Sequence, residues 1–440
     1  MKFDYRQQHN VLCIQNIPVT QLAATYGTPL FIYDADRIRK QVKKFSHDLH
    51  PSVKLFYSLK PNPNPTIVKM IYDMGANLEI CSPNELEICK QIGASSDRLL
   101  YLGPGKTQKE IEMLLDEQVG YYVVESVQEL KLLNEIAEAR SEFVTVGVRI
   151  NLNTSAKGSK LTMGGQPRQF GIDEEQMEEL FHHSSELRRV QITGIHAYNG
   201  TRILSADVII ENTRYILELA KQVARTYAID LEFVDIGGGF GIPYFDNEGE
   251  LDFASACSGI NVLVEQFHKE IGREIPIFVE SGRYVVGESG VYTTKVLYTK
   301  KSKEVLFATA DGGTNHHMAA GGNGNALKKN FPIKVLNKWE DEPVASYHIS
   351  GPLCTPNDLI AKSIPLPKLE QGDLVGIMNA GAYALTASPT LFLSHPMPVE
   401  LLIDEGEVTV IRERDEYGLP RLRSIDSVLA GKPAAGMKES

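Results

Sequence analysis

VKLFYSLKPNPNPTIVKMIYDMGANLEI, residues 53–80, contains one complete repeat of the fold. Residues 53–59 and 76–80 are short apolar runs of strand type. PTIVKMIYDMG between them carries apolar residues at helical spacing behind a proline that suits a first helical position. Strand, helix and strand in that order form the building unit of parallel α/β folds.

The alternation continues in both directions. Six more strand candidates follow: RLLYL (98–102), GYYVVE (120–125), FVTVGVRI (143–150), VQITGIHA (190–197), LEFVDI (231–236) and IPIFVE (275–280). Helical segments such as SVQELKLLNEIAEA and ADVIIENTRYILELAKQVARTY lie between them, and ADRIRKQVKKFSHDL precedes the first strand. Eight strands alternating with eight helices indicate an α/β fold, a (β/α)8 TIM barrel. A doubly wound open sheet is the rival, and the regular spacing of the units favours closure. From about residue 286 the pattern changes. VYTTKVLYTK, EVLFATA, ASYHIS, DLVGIMN, VELLI and EVTVIRE read as strands separated by Gly, Pro and Asn turns. The expected organisation is a barrel over 30–285, a second, β-rich C-terminal domain made of 286–425 with a contribution from 1–29, and a flexible tail at 426–440. Two segments, 151–172 and 319–332, exceed ordinary connection lengths; the first is expected to be functional.

Composition limits the possible roles. The 440 residues are 42% hydrophobic and 23% charged, as in ordinary globular proteins. No apolar window reaches membrane-spanning length, and MKFDYRQQHN at the N-terminus has no apolar signal core. The net charge of −11 is spread without a basic block, which argues against nucleic acid as a partner. A cytoplasmic address with reduced thiols is therefore expected. The five cysteines show no metal-type spacing, and no metal is expected. Cys13, Cys81, Cys89 and Cys257 read as small apolar packing residues.

Active sites of such barrels lie at the C-terminal ends of the strands, and polar residues collect there. Lys60 follows strand one, Arg149 ends strand five and His196 ends strand six. Gly237, Gly238 and Gly239 follow strand seven, and Glu280 to Arg283 end strand eight. The glycine run DIGGGFG opens backbone N–H groups to an anion, or else simply makes a tight turn. Arg283 is a charged fork for the same anion, or a salt-bridge partner at the surface. A lysine amine opposite a phosphate cradle is the requirement of pyridoxal 5'-phosphate (PLP). On that reading His196 lies flat on the cofactor ring; otherwise it is a buried histidine bonded to a carbonyl. Glu280 meets the pyridine nitrogen, or anchors Arg283.

These motifs resemble the alanine-racemase-fold PLP-dependent decarboxylases, the family of diaminopimelate and ornithine decarboxylases, over residues 27–412. YSLKPNPNP resembles the family's lysine motif, which makes Lys60 the residue that carries the cofactor. GIHAYNGT resembles its histidine motif, with His196 over the ring and Thr201 at the phosphate. DIGGGFG resembles the phosphate-binding glycines. ESGRY resembles E-P-G-R-Y, carrying the pyridine-nitrogen carboxylate to Glu280 and phosphate contacts to Gly282 and Arg283. NAGAYALT resembles D-A-G-A-Y, with Tyr383 at the phosphate. GPLCTPND resembles the motif whose thiol enters the neighbouring subunit's site. The resemblance thus implies a homodimer with shared active sites and Cys354, or a water near it, as the proton donor; a buried structural cysteine is the other reading. Alanine racemases place an arginine where this chain has Glu280, so decarboxylation is implied over racemisation.

One departure bears on the substrate. After the cysteine the family carries an acidic residue that meets a distal ammonium, whereas this chain has Thr355. Asp358 or Asp311 is the alternative carboxylate. The CTP combination and MGGQPRQFGID resemble a narrower branch of decarboxylases for conjugated amino acids, in siderophore and butirosin-type antibiotic pathways. The implied substrate is an amino acid conjugated at its far end: a citryl-amino acid, or a glutamyl group tethered to a carrier protein. The rivals are a diaminopimelate decarboxylase of lysine biosynthesis and a catalytically inactive homologue that acts as a binding protein.

Overall fold

The computed structural model describes residues 5–153, 161–162, 169–184, 186–322 and 329–414. The proposed tail at 426–440 and parts of both long segments lie outside the described residues. The chain forms two compact units. One comprises Tyr33–Val291 with Met378–Thr386, and the other Tyr5–Ile32, Tyr292–Ile377 and the stretch from Ala387. The segment 378–386, which holds Tyr383, therefore belongs to the first unit, although it follows most of the β-rich sequence.

The first unit is the barrel. Its strands are β1 (Val53–Ser58), β2 (Asn77–Ile80), β3 (Leu99–Tyr101), β4 (Tyr121–Val124), β5 (Val144–Asn151), β6 (Val190–His196), β7 (Phe233–Asp235) and β8 (Ile277–Ser281). All pair in parallel, and β8 pairs with β1 while β4 pairs with β5, so the sheet closes. Closure excludes the open doubly wound alternative. The helices that return the chain are α1 (Pro65–Asp73), α2 (Pro83–Gln91), α3 (Gln108–Asp116), α4 (Val127–Arg140), α5 (Met177–Ser184), α6 (Ala206–Tyr227), α7 (Phe253–Ile271) and the short α8 (Arg283–Val286). Side chains start them where the sequence offers a cap. Asn64 accepts from Thr66 N–H ahead of α1, Ser82 from Glu85 N–H ahead of α2, and Thr107 with Glu110 closes a reciprocal capping box ahead of α3. Among the described residues no helix is long and apolar enough to cross a membrane.

An aromatic plug fills the barrel. Phe56, Phe233 and Phe278 are buried in it, with the Phe233 and Phe278 rings stacked at 4.9 Å and Tyr121 edge-on to both. Space for Phe233 comes from two glycines. The pairing of β5 with β6 shifts register between Ile192 and Gly194, which sets Gly194 opposite Gly147. A Cβ on Gly194 would meet the Phe233 ring at 2.2 Å, and one on Gly147 at 2.7 Å.

The second unit is β-rich. Its main sheet runs Leu359–Leu366, Ala345–Ser350, Val305–Ala310, Gly290–Ser302, Leu30–Asp34, Val399–Asp404 and Glu407–Arg412, with Leu374–Ile377 paired to Gly290–Ser302. Leu30–Asp34 is the strand contributed from the front of the chain. Leu359–Leu366 is a strand the sequence reading did not find. It contains Pro365, and register shifts against Ala345–Ser350 break its alternation.

Gly194→Ala should destabilise the protein by about 1–3 kcal/mol through overpacking against Phe233. Urea unfolding measures the loss, and adding Phe233→Leu should recover part of it.

Candidate active site

Lys60 leaves the end of β1 on a backbone held from several sides. Leu59 N–H bonds Glu79 O at 3.1 Å, and Asn62 N–H turns back to Leu59 O at 3.0 Å. The Tyr57 hydroxyl donates to Asn62 O at 2.8 Å, and Tyr383 N–H donates to Pro61 O at 3.0 Å. PNPNP is thus a fixed corner, with Asn62 and Asn64 buried in it. The Lys60 side chain is 41% exposed because it opens into a cavity of about 580 Å³. Arg149, His196, Thr201, Glu280, Arg283 and Tyr383 line the same cavity, so the structure brings together the rim residues expected from the sequence.

The charges at this rim are paired. Lys60 Nζ lies 3.0 Å from Oε1 of Glu79, whose side chain is wholly buried. Burial alone would lower the Lys60 pKa, but Glu79, Cys81, Glu280 and Tyr383 outweigh it and the amine is held well above its ordinary value. Arg149 Nη1 donates to Glu125 Oε1 at 3.2 Å and its guanidinium lies 4.7 Å from the Phe170 ring centroid. Phe170 and Gly171, which donates to Glu125 Oε2, bring the end of the first long segment to this rim. His196 Nε2 lies 3.2 Å from Glu280 Oε1 without an aligned hydrogen bond. Burial pushes the Glu280 carboxyl up, while His196, Lys60 and Arg149 pull it down to about 2.

Several bland readings fall away here. Both His196 ring nitrogens and Glu280 Oε1 are buried without a hydrogen-bond partner, so His196 is not tied to a carbonyl. Arg283 bonds the Tyr244 hydroxyl at 3.1 Å and stacks on Tyr383 at 4.4 Å, so Glu280 is not its anchor. The glycine run has a packing cause in this chain. A Cβ on Gly238 would meet Glu280 O at 1.8 Å, and one on Gly239 would meet Gly200 O at 2.2 Å. Gly237 and Gly239 also take φ of +65° and +93°. Gly282 turns tightly against Pro61.

The remaining expected residues lie in the second unit. Cys354 is exposed, not a buried packing residue. Asp358 is buried and accepts from Thr314 N–H at 2.7 Å, Thr314 Oγ1 at 2.9 Å and Leu353 N–H at 2.8 Å. Asp311 accepts from Thr294 Oγ1 at 2.7 Å, Lys295 N–H at 2.8 Å and the Thr28 hydroxyl. Both carboxylates are hydrogen-bonded within their own unit.

The sequence reading missed Glu79, Cys81, Tyr198 and Tyr244. Cys81 packs against the aromatic core as expected, but it also lines the cavity and its thiol donates to Glu79 Oε1 at 3.0 Å. Burial and Glu79 hold that thiol protonated. An acid one position before the end of a buried strand, as in ANLEI, was the available signal for Glu79.

The donor set fits pyridoxal phosphate. A lysine amine faces a buried anionic carboxylate, an unbonded imidazole and a guanidinium across one cavity, and buried polar atoms of His196, Glu280 and Arg283 await partners. The sequence pattern of the family described as "Pyridoxal-dependent decarboxylase, pyridoxal binding domain" matches residues 35–287. The chain is 35% identical over 399 residues to the L-glutamyl-(BtrI acyl-carrier protein) decarboxylase of Niallia circulans, covering 90% of this chain and 93% of that one. It is 32% identical to the diaminopimelate decarboxylase of Methanothermobacter thermautotrophicus, covering 92% and 94%. The structure of Helicobacter pylori diaminopimelate decarboxylase complexed with L-lysine superposes with a TM-score of 0.81 at 28% identity, over 90% of this chain and 96% of that one. The chain belongs to the pyridoxal-dependent decarboxylase family. It is a PLP-dependent amino acid decarboxylase, a carbon–carbon lyase.

Glu280→Gln removes the anion and should lower kcat by about a hundredfold or more, the scale of losing one preorganised electrostatic partner. Release of CO2 by the purified variant measures it.

Proposed function

We propose that the enzyme decarboxylates an L-amino acid whose distal end is already conjugated. The candidates are a glutamyl group bound to a carrier protein and a citryl-amino acid. The observation that carries this reading is the neutral Thr355 after Cys354, where the diamino-acid decarboxylases carry an acid. The two neighbouring candidates for that acid, Asp358 and Asp311, support it, because their oxygens already accept hydrogen bonds within their own unit. A free ammonium desolvated without a carboxylate is poorly served. The activity for which the Niallia circulans relative is named, on a glutamyl carrier protein, supports the same reading.

Pyridoxal phosphate, when bound, supplies the electron sink for the pair left at Cα as CO2 departs. Lys60 would hold it through Nζ, and that amine then holds or moves a proton beside Glu79 Oε1. Glu280, kept anionic, would hold a proton on the pyridine nitrogen, and the His196 imidazole would orient the ring. Arg283, Thr201, Tyr383 and the backbone of Gly237–Gly239 and Gly282 would bind the phosphate. His196, Lys60 and Arg149 together hold the Glu280 carboxyl low. The partner subunit's Cys354 would return a proton to Cα, which makes the working unit a homodimer; its exposed thiol is consistent with that role.

Conjugated substrates should be preferred over free lysine, ornithine and meso-diaminopimelate by at least about tenfold in kcat/KM, or 1.4 kcal/mol. A panel including citryl-ornithine, citryl-diaminopropionate and glutamyl thioesters, followed by CO2 release, tests it. Efficient turnover of meso-diaminopimelate with the conjugates inert would restore the lysine-pathway reading. Thr355→Glu should move the preference toward a free distal amine.

The dimer is tested by complementation. Lys60→Ala should lose visible absorbance and turnover, and Cys354→Ala should lose turnover. Mixing the two should recover part of the activity, because some hybrid dimers hold one intact site. No recovery after demonstrated subunit exchange counts against a shared site.

A further inference from the structure

Asp235 ends β7, directly before the glycine turn, and the mechanism above does not use it. It is wholly buried, and strand register sets it level with His196, which is itself level with Arg149. Its Oδ1 accepts from Gly237 N–H at 2.8 Å, while Oδ2 is buried without a donor. One nitrogen of His196 and one oxygen each of Asp235 and Glu280 lie within 4.8 Å of one another. Two buried carboxylates this close are not both ionised, because each raises the cost of charging the other.

The surrounding charges decide which of them keeps the proton. Glu280 is the member facing His196, with Lys60 and Arg149 adding positive charge. Asp235 has no cation bonded to it and meets Glu280, with Glu79 adding a second negative charge. Burial and Glu280 drive the Asp235 carboxyl well above the carboxylate range, against the opposing pull of the Gly237 N–H.

We propose that Asp235 is a positioning residue for Glu280, a neutral acid whose Oδ2 proton is donated to the Glu280 carboxylate while Oδ1 is held by Gly237 N–H. One hydrogen bond thereby aims the carboxylate expected at the pyridine nitrogen, and Gly237 links it to the glycine turn. The inference rests on the cofactor role of Glu280 but not on the identity of the substrate.

The test uses the holoenzyme with Asp235→Asn and Asp235→Ala. Asparagine reproduces both bonds, accepting from Gly237 N–H and donating to Glu280, whereas alanine makes neither. D235N should keep nearly wild-type kcat, and D235A should lose about tenfold or more, as for a lost hydrogen bond to a charged group. The second readout is equilibrium unfolding against pH, which needs no substrate. A carboxyl with a raised folded pKa contributes its full stability below the unfolded value near 4 and loses it as pH rises toward the folded pKa. The unfolding constant of the wild type relative to D235N should therefore grow about tenfold per pH unit across that window. Parallel pH dependence of the two proteins would mean that Asp235 is ionised and would overturn the proposal. So would a D235N variant that fails to fold or is as impaired as D235A.

Discussion

Charges carried into a closed barrel have nowhere to go but to each other. A buried lone carboxylate or guanidinium costs several kcal/mol, and a closed sheet leaves no edge through which the group could turn back to water. This chain places Glu79, Arg149, Asp235, His196 and Glu280 at one rim, all buried. They stand in complementary order: Lys60 with Glu79, Arg149 with Glu125, and His196 with Glu280. The register between neighbouring strands sets Arg149, His196 and Asp235 at one level. Glu280 can remain an anion because that order surrounds it with positive charge.

The rim stands on a barrel interior that cannot collapse beneath it. Phe56, Phe233 and Phe278 occupy that space, and two glycines opposed by a register shift admit the Phe233 ring. The glycine turn after β7 is locked to β8 in turn, because Gly238 lies against the carbonyl of Glu280 and Gly237 O accepts from Glu280 N–H at 2.8 Å. The loop expected at the phosphate and the carboxylate expected at the ring nitrogen are therefore two parts of one rigid corner. Glycine in this motif answers to close backbone approach as well as to an anion.

On the proposed function, decarboxylation and choice of substrate are carried by different parts of the chain. Lys60, Arg149, His196, Thr201, Glu280, Arg283 and Tyr383 all line one cavity of the barrel unit. On that reading Thr355, which would meet the distal end of a substrate, lies in the β-rich unit, where Asp358 and Asp311 accept hydrogen bonds from their own framework. A family can keep its chemistry while changing its substrate through such a division, because a neutral residue in place of an acid alters one contact and leaves the barrel rim intact.

Much of this was legible from order along the chain. Apolar runs alternating with helical periodicity specified eight strands, and the polar residues just after those strands named Lys60, Arg149, His196 and Glu280, because a barrel exposes its strand ends on one face. Glu79 and Cys81 escaped notice because an acid and a thiol inside a short apolar run look like ordinary strand residues until Lys60 is seen 3.0 Å away. The partners of Asp358 and Asp311 were not legible, because the N–H groups and hydroxyls that converge on a carboxylate come largely from residues far away in sequence. By itself the sequence placed the eight barrel strands, favoured their closure and singled out Lys60 as the candidate amine. Tertiary structure alone decided which carboxylates face cations, which face each other and which accept bonds from the framework, because a buried group's charge state depends on neighbours that only folding brings within a few ångströms.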